Sequence, residues 1–489
     1  MFGCRRSEQV QMQMLNPIDC GSFYQQRDHR TNLTLEQPSS PVPLAISIAP
    51  PWAETTDGQI TIYWLSSLIA RMGQRYNQLR LFLPPEVRSL PSLIPGLPGT
   101  LAEVLLNHLR ASDPCGRYTI VAALDDQYPL ISVGRLQRTN QHVVVEPHGW
   151  SAMIAISDAS PASTSKKGLN PIGAALAAAL GATEVYFQSN QDNLAGRQSQ
   201  VPTWISARHC AVTTSAAEAA KWNDDEPLPD SIDIGRWLVV GCGALGGNTL
   251  AIVGMAREKL KGLVATVDDD IVDVTNLNRL IESLAAHAPS LKKVELAAFS
   301  LRDSQVQVET YPALYERLSD NQTLKIEDFD VVLTGVDQMA TRAFVQSDWP
   351  KFLVDGGTRG YTWRVSTIGN RGEDPCLGCI AGKSQRQYSD LESPLRCGVG
   401  LPEQQSNILP PAMDSYGFVS FFAAAFMAAR ALEARLETGG VGQNFTTEAV
   451  ALNLNSLQHR QDKPSELCLC MCGDPAVKQY RVEKFGEPL

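Results

Sequence analysis

A glycine-rich turn that follows a short apolar strand constrains this chain more than any other feature. The run Trp237–Val240 predicts a strand, and Gly241, Gly243 and Gly246 follow it with the GxGxxG spacing of a tight strand-to-helix turn. Because these residues lack side chains, a phosphate can reach backbone N–H groups at the positive end of the helix dipole. A second apolar run ends in Asp268–Asp270, where a ribose-binding acid is expected. The sequence therefore predicts a βαβ nucleotide-binding unit.

The polar residues beyond this unit indicate which nucleotide it binds. A lone GxGxxG is most typical of a nicotinamide or flavin site. Here Asn276 and Arg279 follow the second strand, Lys293 comes one short helix later, and a third apolar strand leads to Asp337. Cations beside a glycine turn suit a triphosphate, whose charge must be neutralised, and an Asp at the end of a strand is a good ligand for Mg²⁺. We expect a site for a nucleoside triphosphate with Mg²⁺.

Taken in order, these motifs resemble the adenylating domain of the ThiF, MoeB and ubiquitin-activating enzyme superfamily. The superfamily pattern is GxGxxG, DxD, [ST]NLxR, KVE, and a strand ending near an Asp with an Arg five residues later. The whole pattern occurs here between Gly241 and Arg342. The resemblance implies an α/β fold with a Rossmann-like ThiF-type adenylation domain over residues 236–489. It also implies binding of ATP and Mg²⁺, and adenylation of the C-terminal glycine of a ubiquitin-like or sulfur-carrier protein.

The resemblance assigns a role to each polar motif residue: the ribose to Asp268 or Asp270, the phosphates to Asn276, Arg279 and Lys293, and Mg²⁺ to Asp337. Lys292 could replace Lys293, but the family lysine is the one immediately before Val-Glu. For each cation taken singly, the alternative is a solvated face without a ligand.

Six cysteines lie from Cys376 onward, and they suggest a metal. Cys376 and Cys379 form a CxxC pair, and the C-terminal segment supplies Cys468, Cys470 and Cys472. Four thiolates suit tetrahedral Zn²⁺, so we expect Zn²⁺ on Cys376, Cys379, Cys470 and Cys472, with Cys468 as the alternative to Cys470. The competing interpretation is a redox CxxC. The odd total of 11 cysteines fits reduced thiols better than a disulfide framework.

Cys397 lies 18 residues beyond the CxxC, where the superfamily carries a reactive cysteine in its crossover loop. The adjacent Arg396 would favour the thiolate, which could attack an acyl adenylate and form a thioester. An inert, structural Cys397 is the alternative. Cys242, inside the glycine turn, is expected to be a packing residue. None of the seven histidines has a metal-binding or catalytic spacing.

The N-terminal half lacks these motifs but shows its own strand and helix patterns. Residues 1–40 are polar and predicted to be poorly ordered. Residues 41–220 alternate strands and helices, which predicts a second α/β domain. We expect a helix over 65–77, after an apolar run at 60–64, and strands over 79–83, 118–124, 130–134 and 143–146.

An Ala-rich helix over 170–187 is similar to one over 421–432 and suggests a pseudo-repeat. Eukaryotic members of the superfamily pair an inactive and an active half in one chain. We therefore expect residues 41–220 to be a degenerate, inactive adenylation-like half, joined to the active half by a linker over 221–235. An unrelated α/β accessory domain is the alternative.

Bulk composition limits the location and partners of the protein. With 44% hydrophobic and 19% charged residues, the 489-residue chain is typical of a globular protein of two or three domains. A net charge of −10 argues against nucleic acid or an anionic membrane as the main partner. The longest apolar stretch, residues 416–430, is too short to cross a bilayer and predicts a buried helix. The N-terminus has no apolar secretory region, so we expect a cytoplasmic protein.

The two-half layout looks like the compact activating enzymes of bacterial ubiquitin-like conjugation operons, in particular the Bil-type antiphage systems. The predicted function is adenylation of a ubiquitin-like protein, its capture as a thioester on Cys397, and its transfer to a conjugating enzyme with a reactive cysteine. The chain would act as a monomeric pseudo-dimer or as a homodimer. The alternatives are a sulfur-carrier adenylyltransferase of thiamine or molybdopterin synthesis, a nucleotide-sensing scaffold and a nicotinamide oxidoreductase.

Overall fold

The computed structural model contains two eight-stranded mixed sheets in its described part. It describes residues 19–29, 43–73, 76–90, 99–137, 142–157, 168–189, 201–369, 374–381, 416–436, 444–451, 453–462, 472 and 474–485. The first sheet lies within residues 44–213 and the second within residues 232–461. Each half of the chain therefore builds a sheet of its own.

The two sheets have the same topology. Strands β1 to β8 form the first sheet and are, in chain order, Leu44–Ile48, Gln78–Phe82, Arg117–Ile120, Leu130–Val133, Val143–His148, Ser151–Ile156, Thr203–Ser206 and Ala211–Thr213. Strands β9 to β16 form the second sheet and are, in chain order, Ile232–Val240, Leu260–Val267, Gln305–Tyr311, Val331–Thr334, Leu353–Arg359, Thr362–Ile368, Phe445–Val450 and Asn453–Gln461. The first sheet has the spatial order β3-β2-β1-β4-β5-β6-β7-β8 and the second β11-β10-β9-β12-β13-β14-β15-β16. In both, the first five strands of this order are parallel and the last three are antiparallel.

Helices pack on and between the sheets. In the N-terminal half they are α1 Cys20–Arg27, α2 Pro50–Ala53, α3 Thr56–Arg71, α4 Leu101–Ser112, α5 Pro171–Ser189 and α6 Ala216–Lys221. In the C-terminal half they are α7 Gly246–Gly254, α8 Lys293–Phe299, α9 Tyr315–Asp320, α10 Met339–Ser347, α11 Leu377–Ala381, α12 Gly417–Leu436 and α13 Pro475–Phe485. The shared strand order confirms the predicted adenylation-like fold of the N-terminal half and leaves no need for an unrelated accessory domain.

Helices α5 and α12 join the two halves. They pack against each other, and α12 also packs on α7 and β13. Phe421 of α12 is fully buried and meets Trp64 of α3, with ring centroids 5.3 Å apart. Burying one such aromatic side chain stabilises the fold by about 2 kcal/mol. A single hydrophobic cluster extends through both halves, so they form one continuous core.

Helix α12 is longer than the apolar stretch predicted from the sequence. With 20 residues it is long and apolar enough to cross a bilayer by length and composition alone. Its side chains from Gly417 to Ala429 are nevertheless buried inside the protein. The prediction of a buried helix is confirmed, whereas the expectation that the apolar segment is too short to cross a bilayer does not hold for the whole helix.

The bounds of one predicted helix and of the predicted linker differ from those in the structure. The helix expected over 65–77 begins at Thr56, because Thr55 accepts a hydrogen bond from the Gly58 N–H at 3.1 Å and caps it. It ends at Arg71, just before Gly73, whose φ of +132° does not continue a helix. The first strand of the second sheet begins at Ile232, inside the predicted linker.

The prediction of a poorly ordered segment over 1–40 is wrong for Cys20–Arg27, which form helix α1. Arg27 and Asp113 make a buried ion pair at 3.0 Å, and Tyr24 donates a hydrogen bond to Asp113. A disulfide also joins Cys20 to Cys115, contrary to the expectation of reduced thiols throughout. A polar segment can be ordered in this way when its charged side chains find buried partners on another element.

Candidate functional site

The glycine turn lies at the carboxyl edge of the second sheet, where strand order changes direction on either side of β9. Gly241 has a φ of +88°, and a Cβ there would lie 2.7 Å from Val336 Cγ1. A Cβ on Gly246 would lie 2.1 Å from the Gly241 carbonyl oxygen, whereas one on Gly243 would meet no described atom within 4 Å. Packing therefore requires glycine at positions 241 and 246, while Gly243 faces the open side, where a phosphate can approach.

Asp268 stabilises the glycine turn through hydrogen bonds to backbone N–H groups. Its carboxylate accepts the Cys242 N–H at 2.7 Å and the Asp270 N–H at 2.9 Å. Burial raises the pKa of Asp268, and the nearby Lys293 ammonium offsets part of that rise. The acid predicted to bind the ribose therefore lies directly beside the glycine turn. Cys242 itself is buried, as expected for a packing residue.

Lys293, rather than Lys292, reaches the acids of the site. Lys293 is 5% exposed, and its ammonium lies 2.7 Å from a carboxylate oxygen of Asp270. Lys292 occupies the cap position of helix α8, and its backbone pairs with Ile271. Asp270 is therefore the ion-pair partner of Lys293 in this structure, and the assignment of the ribose to Asp268 or Asp270 stays a prediction.

Asn276 and Arg279 are both nearly buried and turn back onto their own loop. Asn276 Oδ1 accepts the Asp273 N–H at 3.0 Å. Arg279 Nη1 donates to the Thr275 carbonyl oxygen at 2.7 Å and to Asn278 Oδ1 at 2.9 Å. These bonds hold the side chain of Arg279 against its own loop, and its role at the phosphates stays a prediction.

Asp337 is exposed in the loop after β12, at the same sheet edge as the glycine turn. The loop is held by Arg342, whose Nε donates to the Val336 carbonyl oxygen at 2.7 Å. Arg342 Nη1 also donates to the fully buried carboxylate of Asp355, at 3.0 and 3.1 Å. The Thr334 hydroxyl donates to the same carboxylate at 2.7 Å. The prediction did not include Asp355. A lone acid directly after the apolar run Phe352–Val354 could have indicated a carboxylate at this edge of the sheet.

The corresponding edge of the first sheet is filled. The segment after β1 contains Trp52 in place of the glycine turn, and Trp52 is 4% exposed. It packs on Gly134, which follows β4 as Gly335 follows β12; a Cβ on Gly134 would lie 2.0 Å from Trp52 Cδ1. Because the indole occupies the space between these two loops, the described residues of the first sheet leave no open turn at the position that corresponds to Gly243.

Three of the predicted zinc ligands converge. The Sγ atoms of Cys376 and Cys379 lie 4.0 Å apart, and those of Cys379 and Cys472 lie 3.2 Å apart. All three can offer sulfur to one ion. Neighbouring thiolate ligands of tetrahedral Zn²⁺ have spacings of about 4 Å, so the donor set fits the metal. Convergence of a third thiol favours metal over a redox CxxC, which needs only two.

Three other predicted residues, Cys397, Cys468 and Cys470, lie outside the described residues. The thioester role of Cys397 and the identity of the fourth zinc ligand therefore stay predictions.

Comparison with known proteins identifies the family of this chain. The ThiF family model matches residues 222–470, which include the whole site of the second sheet. The chain belongs to the ThiF family. Residues 43–202 match the BilD N-terminal domain. The predicted resemblance to the superfamily and to Bil-type enzymes is thereby confirmed.

Individual relatives of this ThiF-family protein match parts of it. Human ubiquitin-like modifier-activating enzyme 6 is 29% identical over 141 residues, which cover 27% of this chain and 13% of that protein. The adenylyltransferase and sulfurtransferase UBA4 of Lodderomyces elongisporus is 29% identical over 261 residues, which cover 50% of this chain and 51% of that protein. The chain thus spans about half or less of the length of these curated relatives.

Among solved structures, E. coli MccB with ATP is 15% identical. The similarity covers 48% of this chain and 65% of that one, with a TM-score of 0.36. At this TM-score the likeness supports no inference about the site.

Proposed function

We propose that this ThiF-family protein is an ATP-dependent activating enzyme for a ubiquitin-like protein. The observation that carries the proposal is the placement of Gly243, Asp268, Lys293 and Asp337 around one open sheet edge. Backbone N–H groups and a cation near an open turn can hold a triphosphate, and the exposed Asp337 would hold Mg²⁺. When bound, Mg²⁺ neutralises charge on the phosphates.

The first proposed step is adenylation. A carboxylate oxygen of the substrate's C-terminal glycine attacks the α-phosphorus of ATP, and the bond from that phosphorus to the bridging oxygen breaks. The products are an acyl adenylate and pyrophosphate. Lys293 and Arg279 would stabilise the charge that accumulates on the phosphate oxygens, which is the main contribution a protein makes to such a transfer.

The second proposed step is thioester formation on Cys397. Its thiolate attacks the acyl carbon, the bond to AMP breaks, and AMP leaves with the electron pair. The acyl group is then passed to the cysteine of a conjugating enzyme by exchange of one thioester for another. This chemistry requires only a thiolate within reach of the adenylate.

The N-terminal half is proposed to bind no nucleotide. Trp52 fills the edge of the first sheet where the second sheet has its open turn. The match to the BilD N-terminal domain supports a role in a Bil-type conjugation system. We propose the bacterial cytoplasm as the place of this role.

A second candidate function is adenylation of a sulfur carrier. It is favoured by the match to an adenylyltransferase and sulfurtransferase, which at 261 residues extends further than the match to the human activating enzyme. In that reaction the acyl adenylate would be converted to a thiocarboxylate by a sulfur donor. No conjugating enzyme would be needed.

ATP–pyrophosphate exchange tests the proposal, with purified chain and with ubiquitin-like proteins encoded beside it. Exchange should occur with the wild type, be lost with Asp337→Ala, and persist with Cys397→Ala. A thiol-reducible adduct with the carrier should form on the wild type and be absent from Cys397→Ala. Exchange without any adduct, together with a thiocarboxylate carrier in the presence of a sulfur donor, would select the second candidate. Failure to exchange with every carrier would refute both.

A further inference from the structure

The N-terminal half lies against the loop that carries Asn276 and Arg279. Helix α1 packs on the short turn Val274–Asn276, and α4 packs on the turn Ala285–His287. Between these two contacts, Arg71 at the end of α3 reaches the segment from Leu277 to Ser283. The half without a nucleotide site therefore contacts the nucleotide loop of the other half along most of its length.

Arg71 makes the central contact. Its Nη1 donates to the Leu277 carbonyl oxygen at 2.6 Å, and its Nη2 donates to the carbonyl oxygens of Ile281 at 2.9 Å and Ser283 at 2.7 Å. Its Nε donates to Ser67 Oγ at 3.1 Å, which fixes the guanidinium on its own helix. The side chain is 1% exposed. One guanidinium thus binds three backbone carbonyls that lie on both sides of Arg279.

The same loop is held from its own half by Asn248 of α7. Asn248 Nδ2 donates to the Arg279 carbonyl oxygen at 2.8 Å, and Asn248 Oδ1 accepts the Ile281 N–H at 2.9 Å. The backbone that carries Arg279 is therefore fixed between α7, which starts at the glycine turn, and α3 of the other half. Charge-assisted hydrogen bonds are stronger than neutral ones, so Arg71 is the firmer of the two attachments.

We propose that Arg71 is a positioning residue through which the N-terminal half sets the geometry of the ATP site in the C-terminal half. Arg71 does this by fixing the backbone on both sides of Arg279, and it contacts no substrate. The inference rests on the proposed function, because it assigns Arg279 to the phosphates. It gives the N-terminal half a reason to be retained without a nucleotide site of its own.

A matched control comes from Arg430 of α12. It also contacts backbone carbonyls of the other half, but from the C-terminal half toward the N-terminal half. Its Nη2 donates to the carbonyl oxygens of Ala207 and Arg208 in the N-terminal half, and it lies away from the nucleotide loop. Arg71→Met and Arg430→Met each remove one guanidinium that crosses between the halves. Only Arg71→Met releases the loop.

The test compares ATP–pyrophosphate exchange in these two variants. We expect Arg71→Met to lower kcat/KM for ATP by about ten- to a hundredfold, since a small misplacement of a phosphate ligand has effects of this size. Its KM for the carrier protein should stay unchanged, and Arg430→Met should keep wild-type values for ATP. Arg71→Lys keeps the charge but replaces the planar guanidinium, whose two terminal nitrogens share the three carbonyls, by a single ammonium nitrogen, so it should fall between Arg71→Met and the wild type. Equal loss of kcat/KM in Arg71→Met and Arg430→Met would overturn the proposal and leave only a general role in joining the halves.

Amide hydrogen exchange separates this inference from the proposed function. Protection over residues 275–283 should fall in Arg71→Met and stay at the wild-type level in Arg430→Met, with or without activity. Unchanged protection in Arg71→Met would refute the positioning role. If the wild type shows no pyrophosphate exchange with any carrier, the proposed function fails, while the protection measurement still decides whether Arg71 fixes the loop. If Arg71→Met does not fold, Arg71→Lys is compared with Arg430→Met by the same two measurements.

Discussion

Single glycines of the nucleotide turn have different physical roles. Gly241 and Gly246 are fixed by close backbone contacts within the protein, whereas Gly243 has open space where a Cβ would stand. The motif looks uniform in sequence because each of its positions excludes a side chain. At Gly241 and Gly246 a side chain would clash with the folded protein. At Gly243 it would clash only with a bound ligand.

Gly243→Ala should therefore separate binding from folding. We expect its thermal midpoint to stay within about 2 °C of the wild type, while its Kd for ATP rises about tenfold, because the new methyl group meets the phosphate rather than the protein. Gly246→Ala is the matched variant, and its Cβ would clash with the Gly241 carbonyl oxygen, so it should lose about 2 kcal/mol or more of unfolding free energy. Thermal unfolding and calorimetric ATP titration measure both effects. If a stable Gly243→Ala protein bound ATP with wild-type affinity, the assignment of Gly243 to the phosphate site would be refuted.

We expect Arg481 to help the cysteine cluster retain zinc. It is fully buried on α13, lies 4.7 Å from the ring centre of Trp349, and donates to the Asp374 carbonyl oxygen at 2.9 Å. Trp349 packs against Cys376 and Cys472, so the guanidinium places a positive charge beside a thiolate cluster that stays negative with Zn²⁺ bound.

Arg481→Met should release zinc to a chromogenic chelator about tenfold faster than the wild type, as expected for the loss of an outer-sphere partner. Lys484→Met removes the same charge from the same helix, but its ammonium lies over the ring of Tyr480. Its release rate should match the wild type. Metal analysis of the purified wild type should give one zinc ion per chain; its absence, or equal release rates in the two variants, would contradict the assignment.

At the scale of elements, one buried acid connects three strands to the loop of Asp337. Asp355 of β13 binds Thr334 of β12, Arg364 of β14 and Arg342 of α10. Arg342 in turn holds the carbonyl oxygen of Val336, next to Asp337. The geometry of the Asp337 loop therefore depends on a charge that lies inside the sheet.

Asp355→Ala should destabilise the protein by about 3 to 5 kcal/mol, because it leaves Arg342 buried without its carboxylate. Arg364→Met removes the more exposed partner of the same acid and should cost about 1 kcal/mol. Urea unfolding of both variants measures the difference. Equal free energies of unfolding would mean that Asp355 does not organise this loop.

At the scale of the whole molecule, stability should depend on pH through a cluster in the N-terminal half. His148 Nδ1 lies 3.2 Å from Asp225, and its Nε2 lies 3.5 Å from Glu146. Burial lowers the pKa of His148, but the hydrogen bonds to Asp225 and Glu146 outweigh it and raise the pKa from 6.5 to about 9. A raised histidine pKa means that the folded state binds the proton more tightly than the unfolded state.

The stabilisation from His148 should be fully present below about pH 6.5 and be lost as the pH rises through about 9. Its size is at most about 3 kcal/mol. The measurement is the free energy of unfolding of wild type and His148→Gln between about pH 5.5 and about pH 10, roughly one unit beyond each end of that window. The difference between the two proteins should shrink toward pH 10. A difference that stays constant with pH would show that His148 does not titrate as proposed.

The sequence was sufficient to infer the βαβ unit, the family and the order of the motifs. These are local properties: apolar runs of strand length, glycines at fixed spacing, and polar residues that follow each strand. It also predicted the pseudo-repeat, because the helices now placed at Pro171–Ser189 and Gly417–Leu436 share an Ala-rich composition. Such features need no knowledge of which segments meet in space.

The contacts between the two halves became visible only in the three-dimensional structure. Arg71 and Arg279 are separated by 208 positions in the chain, and no local pattern links a helix-terminal arginine to three distant carbonyl oxygens. Trp52 likewise looks like an ordinary core residue until the strand order places it opposite Gly134. Helix α1 is polar enough to resemble a disordered start, and a buried carboxylate elsewhere orders it. In each case the contact joins residues that are far apart in sequence. It forms only when the whole chain folds, so no single segment contains the information that predicts it.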